Sequence, residues 1–172
     1  MATTYIKIEK ITVSAGTTTV IFNSIPQTYD DLVLKFSNRG TSGGWNGYYI
    51  TFNNVGSQVY SRQSIQGNGA SVGVASSSGT AEYSMQVGTN TIPSQDSYLF
   101  NAGEMYIPNY RVAQGKQMLM YGVGERNTTT AYMELDASYS NPTTAISSIK
   151  IINTTSNFVA DSTFYLYGIS HS

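Results

Sequence analysis

The chain has 172 residues, no cysteine, a net charge of −1 and only 11% charged residues, against about 25% in an ordinary soluble domain. Disulfides and thiolate metal sites are thereby excluded. So is nucleic-acid binding by phosphate neutralisation, which needs a cluster of Lys and Arg that this sequence lacks. The length suits one domain spanning 1–172, large enough to fold on a hydrophobic core alone. Ser, Thr, Asn and Gly fill the polar positions, so the expected surface is polar and nearly neutral.

Helix formers are thin and Thr, Val, Ile, Tyr and Phe are plentiful, which favours strands. Met1 to Thr4 precede the first strand and form a candidate N-terminal arm. Thr4 to Ser14 ("TYIKIEKITVS") begins with alternating Ile6 and Ile8, then changes phase at Ile11 and Val13. A bulge near Lys10 would absorb the extra residue. A turn and "TTTVIFN" (Thr17 to Asn23) follow, so the two segments read as a hairpin. After Pro26 and the turn residues "TYDD", Leu32 to Asn38 is a strand with Leu32, Leu34 and Phe36 on one face. Gly40 to Gly47 is a loop, and "YYITFNN" and "SQVYSRQS" are short strands around a turn at Asn53 to Gly56.

Gln66 to Gly79 is rich in Gly and Ser and reads as a long surface loop holding one short strand. "AEYSMQV" and a loop containing Pro93 come next. The second half carries "SYLFNAGEMYIPNY", "KQMLMYGVGER", "TTAYMELDASY", "AISSIKIIN" and "STFYLYGI". In Thr130 to Tyr139 the residues Ala131, Met133, Leu135, Ala137 and Tyr139 share one face, and Tyr132, Glu134, Asp136 and Ser138 the other. Such alternation marks a sheet buried on one side, with the acidic face turned to solvent. About ten short strands at this spacing predict an all-β fold, an antiparallel β-sandwich of jelly-roll type.

Reactive chemistry is sparse, and the reading assigns no catalytic residue, no metal site and no cofactor. The single histidine, His171, stands one residue from the end, where chains fray. The many serines have no positioned base. Asp30 and Asp31 are adjacent in a turn; they shape the turn and open the strand, and calcium, which takes six to eight oxygens, is the alternative. Glu134 and Asp136 stand two apart on one strand, a spacing compatible with the roughly 5 to 9 Å of a glycosidase pair. "GVGERN" (Gly122 to Asn127) has glycines but no helix after it to cradle a phosphate, and "NTT" at Asn127 and Asn153 matters only in a secretory pathway. The 14 tyrosines and one tryptophan are more informative. "GGWNGYY" places Trp45, Tyr48 and Tyr49 in or beside a glycine loop. Such residues suit a protein contact or a platform for a sugar ring, and equally a cap on one end of the core.

"IPQTYDDLVLKFSNRG", "MYIPNY" (Met105 to Tyr110), "TTAYMEL" with "NPTTAISSIKI", and "NFVADSTFYLYGI" (Asn157 to Ile169) resemble segments of small structural proteins of tailed bacteriophages. The resemblance runs from about Ile6 to Ile169 and is weakest at Gly40 to Gly47 and Gln66 to Gly79. These are packing motifs. The resemblance implies a β-sandwich on the virus particle and no catalytic residues. It allows either a head decoration or a tail or fibre part; a single small domain with no long fibre-forming segment favours a head decoration (cement) protein bound to the major capsid protein, as a homo-oligomer, with a trimer favoured because it would match local three-fold positions on a capsid. The competing expectation is a tail or fibre component touching a host glycan, and a third is a glycan depolymerase. No signal peptide and no membrane span are expected, so the chain would be made in the host cytoplasm and reside in the virion.

Overall fold

The computed structural model describes residues 4–41, 48–55, 60–80, 84–85, 99–125, 131–141, 143–153 and 156–171. Among them every regular element is a strand: β1 (Tyr5–Thr12), β2 (Thr19–Phe22), β3 (Asp31–Asn38), β4 (Tyr48–Phe52), β5 (Tyr60–Gly67), β6 (Val72–Thr80), β7 (Ser84–Met85), β8 (Asn101–Ile107), β9 (Lys116–Glu125), β10 (Ala131–Ser140), β11 (Ile149–Asn153) and β12 (Thr163–Ile169). Eight form one sheet in the order β1-β12-β3-β8-β9-β10-β5-β6. The smaller sheet is β2-β11-β4, extended by the two-residue β7. All pairings are antiparallel. The all-β antiparallel sandwich expected from the sequence is therefore present. Its unequal sheets give no support to the finer jelly-roll assignment.

The core lies between the small sheet and only half of the large one. Val20 and Phe22 of β2, Tyr48, Ile50 and Phe52 of β4, and Ile149 and Ile151 of β11 meet Leu32, Leu34 and Phe36 of β3. Met105 and Ile107 of β8, Met118 and Met120 of β9, and Phe164 and Leu166 of β12 complete the contact. These are the alternate residues of strands buried on one face, as the period of two requires. Phe158 joins the layers: its ring lies 5.4 Å from that of Tyr48 and 5.2 Å from that of Phe164. Burying aromatic rings in offset and edge-on pairs adds about 0.5–1.5 kcal/mol per pair beyond the area removed from water.

The motif stretches of the sequence converge at the start of β3. Asp31 is 1% exposed. Its carboxylate accepts from the Tyr106 hydroxyl at 2.5 Å, the Asn109 N–H at 2.9 Å and His171 Nε2 at 2.6 Å. Asp30 accepts from Arg111 at 2.7 Å and from the His171 N–H at 2.8 Å. The Tyr110 hydroxyl donates to Pro26 O. Tyr29 lies over Gly168, where an added Cβ would stand 2.2 Å from the ring. The glycine of "LYGI" is thus the floor on which the tyrosine of "IPQTYDD" rests.

Three expectations are corrected. β1 and β2 do not form a hairpin: β1 pairs with β12 and β2 with β11, in different sheets. After β1 the chain follows β12, with the Val13 N–H donating to Ser162 O at 2.8 Å, and then crosses between layers near Gly16, whose φ is +86°. The bulge lies at Ile8, between Lys7 and Glu9, rather than near Lys10. Gln66 to Gly79 is not a long loop. β6 pairs along the whole of β5, through a turn in which Asn68 Oδ1 accepts from the Ala70 and Ser71 N–H groups and Gly69 takes φ +82°. Pairing overrides the poor strand propensity of Gly and Ser there.

Candidate functional site

Strand β10 alternates as expected, but its faces are reversed. Tyr132, Glu134, Asp136, Ser138 and Ser140 are buried, while Ala131, Met133, Leu135, Ala137 and Tyr139 are exposed. The register explains why. Met133 pairs with Val123, Leu135 with Tyr121 and Ala137 with Leu119. β9 is apolar on both faces, and its inward set, Met118 and Met120, belongs to the core. Its outward set therefore carries the apolar side of β10 outward with it. A slip of one residue would exchange the two faces.

The same face continues over the next two strands. Leu135 pairs with Ile65, which pairs with Val74, and Gly67 lies between Met133 and Val72. Nine large apolar side chains are consequently presented together: Val72 and Val74 of β6, Ile65 of β5, Met133, Leu135 and Tyr139 of β10, and Leu119, Tyr121 and Val123 of β9. They are 43–82% exposed. Together they leave an apolar surface of several hundred Å² in water. The largest apolar patch on a typical monomer is about 300–600 Å². The rim is polar, with Ser61, Gln63 and Gln117 on one side. On the other, Lys35 and Glu104 pair at 2.9 Å. A shallow depression of about 380 Å³ opens among Tyr106, Leu119, Ala137 and Tyr139.

Behind this face lies a buried charge cluster. Arg62 of β5 donates through Nε to Asp136 Oδ1 at 2.5 Å and through a terminal nitrogen to Glu134 Oε1. Gln66 Nε2 donates to the same Glu134 oxygen at 2.7 Å. Two carboxylates thus share one guanidinium. Burial, and then the charge of Asp136, push the Glu134 carboxyl up to about 7 against the pull of Arg62. Burial raises the Asp136 carboxyl as well. Among the described residues Asp136 Oδ2, Ser138 Oγ and Ser140 Oγ have no hydrogen-bond partner. The expectation of a solvated acidic face is overturned, since Glu134 is 2% and Asp136 0% exposed. That burial also leaves a sugar no access to the pair, so the spacing does not serve glycoside hydrolysis.

The aromatic contact candidates separate. Trp45 lies outside the described residues. Tyr48 is 1% exposed and stacked on Phe158, and burial raises its phenol well above the ordinary value. It is a core residue and is corrected as a contact residue. Tyr49, its neighbour on the strand, is half-buried and pairs with Ile152. Asp30 and Asp31 direct their oxygens to separate donors and shape the start of β3, as read from the sequence. Among the described residues no group of three or more His, Cys, Asp or Glu side chains is gathered to hold a metal ion. His171 has a partner in Asp31, and its own ring is 61% exposed at the chain end. The sequence points to a glycine loop for a contact surface, whereas the broad apolar surface lies on a sheet. The alternation of Thr130 to Tyr139 contained the signal, but the side facing out depended on its partners.

The chain matches no protein-family model, no curated protein and no solved structure.

Proposed function

We propose that this chain is a structural protein of a tailed-phage virion, a decoration protein that binds the major capsid protein on the outside of the head and stabilises the shell. The observation that supports the reading is the outward face of β9, β10, β5 and β6: a broad apolar sheet surface that a lone domain gains nothing by exposing, and that marks a subunit built into an assembly. A face of this kind does its work by being covered. The setting is taken from the resemblance of the packing motifs to those of small phage structural proteins. The stretches that carry them meet around Asp31, Tyr29 and Gly168, where they close the sandwich. The host-glycan alternative rested on aromatic residues beside a glycine loop, and Tyr48, one of its three anchors, is committed to the core.

Stabilisation follows from mass action, because a partner that binds only the assembled shell favours the shell. Immunogold electron microscopy of intact particles, with an antibody to this chain, tests the assignment. Label over the head is expected, together with earlier rupture on heating of particles that lack the protein. Label confined to the tail would overturn the assignment, as would equal robustness with and without the chain.

A further inference from the structure

We infer that the apolar face of β9, β10, β5 and β6 is covered by the same face of a second copy of this chain, in a two-fold symmetric dimer. The inference rests on the reading of this face as a contact surface and names its occupant.

Area is the first argument. The nine side chains with their polar rim are of the order of the roughly 800 Å² per partner that a stable protein interface buries. Two sheets stacked at about 10 Å, as in any sandwich, would cover it completely.

Complementarity is the second. None of the nine side chains is charged, so two copies of the face meet with no like-charge repulsion. The Lys35–Glu104 pair and the polar residues Ser61, Gln63 and Gln117 lie at its border, the usual arrangement of an apolar centre within a polar rim.

Symmetry is the third. A head-to-tail contact, which a three-fold ring requires, joins two different patches. Among the described residues the other exposed large apolar side chains are Tyr5, Ile6, Ile21, Val55 and Val112. Tyr5 and Ile6 lie on β1, at the opposite edge of the large sheet from β6, and Ile21 lies on the small sheet. Val55 and Val112 are in turns. They make no second face for the first to enter. Among the described residues the apolar surface that complements this one is the face itself, and self-complementarity is the defining property of a two-fold interface. The inference thus names a dimer where the sequence reading favours a trimer.

Sedimentation equilibrium of the purified chain from about 1 to 100 μM tests it. The wild type is expected at twice the 18.7 kDa of one chain. Leu135→Glu, at the centre of the face and 43% exposed, is expected to weaken association at least about 100-fold with an unchanged circular dichroism spectrum. Tyr121→Lys, on the neighbouring strand, provides a second variant should Leu135→Glu fold poorly. A wild-type monomer at 100 μM overturns the inference, as does a trimer. So does a dimer that both substitutions leave intact. The virion reading fails separately, by label absent from the head. A monomeric chain that still labels heads would remove the self-pairing alone.

Discussion

Glu134 provides the sharpest quantitative prediction. In the unfolded chain its carboxyl titrates near 4.5, and in the folded protein near 7. Between those values the native state holds a proton that the unfolded state has released. Stability therefore falls as pH rises from about 4.5 to about 7 and then levels off. At 1.36 kcal/mol per unit, the loss is about 3 kcal/mol, and the upward shift of Asp136 acts in the same direction. Glu134→Gln keeps the oxygen that Arg62 and Gln66 donate to and removes the charge. Urea unfolding at one fixed protein concentration, from pH 4.5 to 8.5, reads the effect. The variant should match the wild type near pH 4.5 and exceed it by about 3 kcal/mol near pH 8. Parallel profiles for the two proteins would refute the argument that the buried pair shares one guanidinium at a cost.

Two further substitutions test the packing around β3. Gly168→Ala places a methyl group 2.2 Å from the Tyr29 ring, and should cost about 1–3 kcal/mol by displacing it; thermal unfolding with unchanged stability would remove that contact from the account. Asp31→Ala strips the acceptor from Tyr106, Asn109 and His171, and should cost about 3 kcal/mol. In that variant the amide of Asn109 should also exchange faster with deuterium; unchanged protection would contradict the assigned bond.

Much of the fold is legible in the residues. β3 announces itself by Leu32, Leu34 and Phe36, and β12 by its aromatic alternation. Where the reading failed, the missing quantity was a partner. The phase change in Thr4 to Ser14 signals a bulge, but only pairing with β12 places it at Ile8. Nothing in Gly73 or Ser76 favours a strand, yet β5 supplies a ladder that makes one. Adjacent strands in a sandwich either pair or cross between layers, and the "AGT" turn does not say which. β10 is the clearest instance. A period of two divides its residues correctly into two sets, but hydrophobicity alone named the wrong set as inward. Its register against β9, whose two faces are both apolar, decides the matter. A buried Arg62 then makes an acidic inward face tolerable.

Cysteine chemistry reads the inversion of β10 directly, because the chain has no cysteine of its own. Ala137 and Ser138 are neighbours on β10, the first exposed and the second 8% exposed, and each accepts cysteine with little change in volume. The measurement is the rate of labelling of each variant by a charged maleimide in dilute native protein. Ala137→Cys is predicted to react at the rate of a free thiol and to become protected as protein concentration rises. Ser138→Cys is predicted to stay unlabelled until the protein unfolds. The reverse pattern, with position 138 reactive and position 137 protected at every concentration, would contradict the account.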